Sequence, residues 1–422
     1  MTKTIDTTKF DRTVRTLEML ARMCRMQSDR KGEWLYYQLL AGSFRKIQQA
    51  KAEGKMVVGH TIFIPTEFLY AMDIVPMYLE GAGEIMARML GLEESFAAAK
   101  TAGFANEICS GHRLLNAMAY QGWLPQADAF IWSNSVCDLT AKSGDYLVKE
   151  YSRPGLYLDR PYHDTPQGRQ YFRRELEGMV AFLENLTQRK MDPDRLTEAM
   201  EYSRRATLLF REICAMRKSV PSPMRSHHLI EMILAQLLLS GTADLVNFYQ
   251  TVKDEMKEEM AKPDRPPERY RLMNFFFYPS YLWKFLNLME NKYQASMVAE
   301  PHLSLWANAD IDPNKPLESL TNKAFALTDT GELRGVALTV VKQALEYRAE
   351  GALYWAHIGC RQTCATIKII KDALIEEGIP TLVIDCDLAD STIVSEEEIT
   401  AKVEQFLELL DDRRDQPEEI AP

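Results

Sequence analysis

Much of what bears on function here is missing from the sequence. No apolar run approaches the roughly 20 residues that a helix needs to cross a bilayer. The opening Met1-Thr-Lys-Thr-Ile-Asp6 has none of the apolar character of a secretion signal. The expectation is a cytoplasmic protein with no membrane partner. Cysteine is sparse: seven residues, at 24, 109, 137, 214, 360, 364 and 386, odd in number and far apart, unlike a secreted disulfide scaffold. In a reducing compartment each is a buried apolar filler or a ligand. No Gly-x-x-x-x-Gly-Lys-Ser/Thr loop occurs, and no Gly-x-Gly-x-x-Gly follows a strand, so any nucleotide hydrolysis tied to this chain has to reside elsewhere. His-Glu-x-x-His and Cys-x-x-Cys are absent too, which removes the zincin and zinc-ribbon readings. The net charge of -10 argues against a nucleic-acid partner, which would call for a concentrated basic face.

What is present is a chain of 422 residues, 46% hydrophobic and 26% charged, long enough for two globular domains. Residues 1–55 have helical spacing (Phe10, Val14, Leu17, Leu20, then Trp34 to Ala52). From Val57 the pattern alternates. Val57–Ile64, Val75–Glu80, Ala129–Ser133 and Gly155–Asp159 read as strands, with helices over Pro65–Asp73, Gly111–Gln121 and Leu139–Tyr151 between and after them. Residues 166–262 are helical, and the proline cluster Pro263-Asp-Arg-Pro266-Pro267 marks a boundary. Alternation then resumes with Arg271–Phe277, Ser296–Ala299 and the helix Leu333–Tyr347. A β-turn-α-β unit follows, from Gly351 through Cys360 to Asp387, and the helix Glu396–Leu410 opens on the capping-box pair Ser395 and Glu398. The acidic, proline-containing end reads as a frayed tail. The fold expected is α/β: an N-terminal helical segment (1–55), a first α/β domain (56–165), a helical connector (166–262) and a second α/β domain (263–422), the two domains facing each other with mainly parallel sheets.

Three cysteines share a setting. Cys109 lies in Asn106-Glu-Ile-Cys-Ser-Gly-His112 ahead of a helix, Cys137 in Trp132-Ser-Asn-Ser-Val-Cys-Asp138 after a strand, and Cys360 in His357-Ile-Gly-Cys-Arg361 after another. The ends of parallel strands are where ligands collect, and a helix N-terminus favours a thiolate. Three thiolates hold three corners of a [4Fe-4S] cube and leave the fourth iron open, or each cysteine is inert filling. Cys24 and Cys214 read as packing, and Cys386, between two acids, as structural. Cys364 lies one helical turn after Cys360, either near the same cluster or on a buried helix face. Glu80 is expected to close a strand. His112 and His357 flank the cysteine loops. Arg113 and Arg361 either neutralise cluster or phosphate charge or pair with surface acids. The aromatic run Phe275–Trp283 reads as core or acyl pocket.

The segments Gly59-His-Thr-Ile-Phe-Ile-Pro-Thr-Glu67, Met77-Tyr-Leu-Glu80, Glu107-Ile-Cys109, Asn134-Ser-Val-Cys137, Pro221-Ser-Pro-Met224, His357-Ile-Gly-Cys360-Arg-Gln-Thr363 and Gly378–Asp387 resemble the 2-hydroxyacyl-CoA dehydratase and benzoyl-CoA reductase family, over residues 50 to 412. The resemblance implies that Cys109, Cys137 and Cys360 hold a [4Fe-4S] cluster whose open iron carries water or the oxygen of an acyl-CoA thioester. It implies a second homologous iron–sulfur subunit and a separate ATP-hydrolysing activator that delivers single electrons. The chemistry implied is expulsion of a 2-hydroxyl through a ketyl radical, or reduction of an aromatic acyl-CoA. A third role implied by the resemblance is that of an electron-relay subunit. Glu80 matches the carboxylate that handles proton transfer, and some relatives carry a double-cubane cluster that needs more cysteines. Ile62 stands where the dehydratases carry a serine hydroxyl, with His60 and Thr61 as the nearest polar substitutes.

Overall fold

A computed structural model describes residues 4–28, 30–226, 228–301, 309–327 and 331–415; the acidic end at 416–422 lies outside them. Helices α1 (Thr8–Gln27) and α2 (Lys31–Gln49) form a hairpin whose apolar faces, Phe10, Val14 and Leu17 against Tyr36, Leu40 and Phe44, are buried. The first α/β unit follows: β1 (Val57–His60), α3 (Thr66–Ala71), β2 (Val75–Tyr78), α4 (Leu79–Leu90), α5 (Leu92–Thr101), α6 (Ser110–Gln121), β3 (Ala129–Ser133), α7 (Leu139–Tyr151) and β4 (Gly155–Leu158). Its four strands are all parallel in the order β2-β1-β3-β4, with Val57 beside Val75, Val58 beside Ala129 and Phe130 beside Gly155. Parallel strands are covered on both faces, which is why β1 and β3 are buried throughout and carry no polar–apolar alternation.

Four helices connect the units: α8 (Pro166–Thr187), α9 (Pro193–Met216), α10 (His228–Leu239) and α11 (Ala243–Ala261). Thr165, Asp192 and Thr242 cap α8, α9 and α11 through their side chains. The second unit contains β5 (Tyr270–Phe275), α12 (Trp283–Tyr293), β6 (Ala295–Ala299), α13 (Pro316–Phe325), α14 (Leu333–Glu346), β7 (Gly351–His357), α15 (Arg361–Glu376), β8 (Thr381–Cys386) and α16 (Glu396–Asp415). Its sheet repeats the arrangement of the first, parallel throughout in the order β6-β5-β7-β8. Ser395 Oγ accepts from the Glu398 amide at 3.1 Å, as the capping-box spacing requires. The fold is α/β, with two four-stranded parallel sheets. Helix α13 leaves the second sheet and buries Leu320 and Phe325 with Ile131, Phe172 and Leu176 beneath the first.

Two local departures from the sequence expectation move site residues. The strand expected over Val57–Ile64 stops at His60, because the chain turns through Thr61–Pro65 with Phe63 left-handed at φ 61°. The strand expected to run to Glu80 stops at Tyr78, and Leu79 opens α4, whose Leu79, Ala82, Ile85, Met86 and Leu90 bury one face at helical spacing. Glu80 therefore sits in the first turn of a helix. Helices α4, α5, α12 and α13 have no counterpart in the periodicity reading.

Candidate functional site

The two units meet where the carboxyl ends of their strands face one another. Cys109 is the residue before α6, Cys360 the residue before α15, and Cys137 sits two positions ahead of α7. Each thiol thus stands at the unpaired N–H groups of a helix start, and the amides of Gly111, of Leu139 and Thr140, and of Thr363 and Gln362 respectively favour its thiolate and draw its pKa down. Burial works the other way and prevails. The Cys137 thiol is pushed up to about 12 by burial and then by Cys360, and Cys109 is pushed up by burial and then by Cys360 and Cys137. Cys360 is raised by burial as well. Cys360 opposes ionisation of both other thiols and Cys137 that of Cys109, so the three lie within electrostatic reach of one another. They do not converge on one point: among the described residues no group of three His, Cys, Asp or Glu side chains is drawn together around a single metal ion.

The contacts that hold the loops together cross between units. A Cβ on Gly359 would lie 2.5 Å from the Cys109 nitrogen and 2.7 Å from its Cα, so the Cys360 loop presses backbone to backbone on the Cys109 loop and only glycine fits. The Ala389 amide donates to Ser110 Oγ at 3.0 Å, and Arg113, buried to 3%, reaches Asp390 at 2.7 Å and Asn106 at 2.8 Å. Arg361 pairs with Asp138 at 3.0 Å on the surface, tying the Cys360 loop to the Cys137 loop. Both arginines thus pair with acids.

The histidines differ in what they serve. His112 Nδ1 lies 2.9 Å from Ser143 Oγ, which also accepts from Asn116, and its Nε2 lies 3.6 Å from Cys137 Sγ. Burial lowers His112 to about 4, so a neutral ring supports the Cys137 sulfur. His357 places Nε2 2.5 Å from the Phe277 carbonyl, which only accepts; its Nδ1 therefore takes a weak bond from the Cys386 thiol at 3.5 Å. Cys386 is buried and held there. Cys364 is exposed and turned to the His357 carbonyl at 3.2 Å, away from any buried helix face. Cys214 is buried in the core. Phe275 and Leu282 of the aromatic run are buried in two different core clusters.

Glu80 and His60 lie at the carboxyl ends of adjacent strands of the first unit. Glu80 Oε1 accepts from the Ile62 amide at 3.2 Å, while Oε2 is sheltered from solvent without a partner. Burial raises this carboxyl to about 7, and its charge reaches Cys137. His60 is buried, its Nδ1 3.0 Å from the Thr61 carbonyl; that oxygen only accepts, so the proton is on Nδ1 and the unpartnered Nε2 presents a lone pair. Burial lowers His60 to about 4, keeping the ring neutral. Sequence reasoning missed the Ile62 amide and Gly359; the second was visible as a glycine directly before a cysteine.

Fold and site together define a two-unit parallel α/β protein with cysteines at the seam and, beside them, two titratable side chains, Glu80 and His60, each with one polar atom unpartnered. The profile of 2-hydroxyglutaryl-CoA dehydratase, D-component, matches residues 61–410, and the chain belongs to that family. It is 21% identical to the (R)-2-hydroxyisocaproyl-CoA dehydratase alpha subunit of Clostridioides difficile over 89% of this chain and 95% of that one. It is 22% identical to the (R)-phenyllactyl-CoA dehydratase alpha subunit of Clostridium sporogenes, over 86% and 91%. It is 23% identical to a benzoyl-CoA reductase subunit of Thauera aromatica, over 89% and 94%. The chain is an enzyme component of this dehydratase and reductase group. No helix among the described residues is long and apolar enough to cross a membrane.

Proposed function

We propose that this chain is the iron–sulfur subunit of an ATP-dependent, cytoplasmic 2-hydroxyacyl-CoA dehydratase, with Cys109, Cys137 and Cys360 as the ligands of a [4Fe-4S] cluster. One observation carries the reading: three thiols from three loops and two units stand at three helix starts, within electrostatic reach of one another. The donor set fits. Partly buried thiols whose ionisation is opposed by burial and by neighbouring thiols are relieved by a cationic centre. When bound, such a cluster supplies one-electron chemistry and an open iron beside the thioester.

The chain's own residues do the rest. His60 Nε2, a neutral acceptor, takes a hydrogen bond from the substrate's 2-hydroxyl and orients it. Glu80, poised to about 7, holds a proton as acid or removes one as base at Oε2, the oxygen left open, while the Ile62 amide fixes Oε1. His112 steadies the Cys137 sulfur. The relatives are themselves named as subunits, which supports a companion chain, read here as a second homologous iron–sulfur subunit. The electrons are read as coming from a separate ATP-hydrolysing activator, a role with which a chain lacking a phosphate loop is consistent.

A second reading, reduction of an aromatic acyl-CoA, is favoured by the likeness to the benzoyl-CoA reductase subunit and by Ile62, which offers the site only a backbone amide. Anaerobic co-purification with the companion subunit, then electron paramagnetic resonance with 2-hydroxyacyl-CoA or benzoyl-CoA, separates the two. A spectrum that changes with the hydroxyacyl thioester and not with benzoyl-CoA supports dehydration. The reverse pattern selects reduction, and a spectrum indifferent to both reduces the chain to an electron relay.

A further inference from the structure

Two exposed helix faces outside the cysteine loops are opposite in sign. On α1, Phe10, Thr13, Val14 and Leu17 are buried. The opposite face consists of Arg12, Arg15, Met19, Arg22, Met23 and Met26, which recur at three- and four-residue steps and are all exposed. The methionines at 19, 23 and 26 are 54%, 42% and 85% exposed, so nothing in the chain covers them. Both acids of the helix are engaged with α2: Glu18 pairs with Arg45, and Asp11 accepts from Gln48 at 2.7 Å. Among the described residues Arg12, Arg15 and Arg22 have no carboxylate within ion-pair distance. Beside the face, a cleft of about 350 Å³ between α1 and α2 is lined by Arg22, Arg25 and Trp34. Protein interfaces collect arginine, methionine and tryptophan and shed lysine and acids. On a chain of net charge -10, a helix face of three arginines and three methionines with no acid has that composition.

The counterpart lies on the last helix. There Ile399, Val403, Phe406, Leu407 and Leu410 are buried. Glu397, Ala401, Gln405, Glu408 and Asp412 follow one another at helical spacing along the exposed side, with Leu409, 47% exposed, at the edge. No cation stands on this face: Lys402 is turned to Glu398 at 2.8 Å and Arg414 to Glu350 at 2.7 Å. Measured along the helix axis, Arg12 to Met26 and Glu397 to Asp412 each extend about 20 Å. The two faces thus agree in length, oppose in charge and each carry exposed apolar side chains, and both are open to solvent within the chain.

We propose that the α1 face of one chain docks on the α16 face of a second copy, and reciprocally, so that two such helix pairs join two chains about a twofold axis. The arginines select the acidic face and set the register, while the methionines, unbranched and adaptable, pack around Ala401 and Leu409. A single helix pair is small for a stable interface; the reciprocal arrangement doubles the contact and closes the assembly at two copies. None of these residues belongs to the cysteine loops or to the Glu80 and His60 pair, so the docking stands or falls independently of the proposed reaction.

The test is sedimentation velocity on the anaerobically isolated full chain over a range of concentrations. The wild type is expected to form a dimer that weakens as salt is added. Two charge reversals probe the two faces separately: Arg15→Glu with Arg22→Glu on α1, and Glu408→Arg with Asp412→Arg on α16. Each is expected to weaken dimerisation on the order of tenfold or more, because like charges then meet at both helix pairs. An equimolar mixture of the two variants is expected to dimerise as the wild type does, since every helix pair in the mixed dimer again joins opposite charges. That recovery also shows that neither variant is misfolded. A wild type that is monomeric at every concentration, a dimer indifferent to both reversals, or a mixture of variants with wild-type circular dichroism that does not recover would each overturn the docking. So would a monomeric chain whose binding to its companion subunit or to anionic lipid vesicles is lost with Arg15→Glu and Arg22→Glu, which would assign the α1 face to that occupant instead.

Discussion

The two α/β units share a plan and differ in equipment. Both sheets are parallel with the same strand order. In both, the loop after the first strand carries a left-handed phenylalanine, Phe63 or Phe276. In both a buried-side glutamate follows the second strand, Glu80 or Glu300, and a cysteine follows the third, Cys137 or Cys360. The difference lies at the end of the first strand and at the histidines. The first unit places His60 there, with Nε2 open, beside Glu80 with Oε2 open. The second places Phe276 and Phe277 there, and its His357 is committed on both nitrogens to Phe277 and Cys386. The first unit also supplies Cys109. The shared plan thus positions thiols at two matching strand ends, while the proton-handling groups of the proposed chemistry stand in one unit.

The largest effects test that division. Substituting Cys137 or Cys360 by alanine is expected to abolish thioester turnover and strip iron equally, with far-ultraviolet circular dichroism unchanged; loss from one unit's cysteine alone would break the symmetry of ligation. Glu80→Gln is expected to reduce kcat on the order of a hundredfold or more while iron stays bound. With Glu80 at about 7, the acid form dominates below that pH and the carboxylate above it. Base-dependent turnover therefore rises through pH 7 in the wild type, and Glu80→Gln flattens the profile. A matching loss from Glu300→Gln would erase the difference between units.

Smaller effects probe the seam. Arg113→Met leaves Asp390, only 14% exposed, without its partner and is expected to cost about 3–5 kcal/mol in a denaturant midpoint. Gly359→Ala drives a methyl into the Cys109 backbone and is expected to cost about 1–3 kcal/mol and to loosen iron retention. Arg361→Ala breaks a bridge whose side chains are 80% and 62% exposed, and no measurable change in melting temperature is expected.

The parallel strands were legible because full burial leaves apolar runs bounded by turns, and β3 and α7 match the pattern reading residue for residue. The cysteine loops were legible because each combines a strand or loop end, a small residue and a helix start. Helix α4 was not, since Gly81 and Gly83 interrupt its pattern and Val75 to Leu79 mimics a longer strand. That error misplaced Glu80 by one element. The seam itself could not be read, because Gly359 against Cys109 and Arg113 against Asp390 join residues about 250 and 277 positions apart.

The central claim, that Cys109, Cys137 and Cys360 jointly hold an iron–sulfur cluster, is tested most directly by iron and acid-labile sulfide analysis of the anaerobically isolated chain and its single alanine variants. The account predicts about four iron and four sulfide per wild-type chain, loss of most of both in each of those three variants, and full content in Cys364→Ala and Cys386→Ala. Iron and sulfide retained without Cys109, Cys137 or Cys360, or lost only without Cys364, would contradict it.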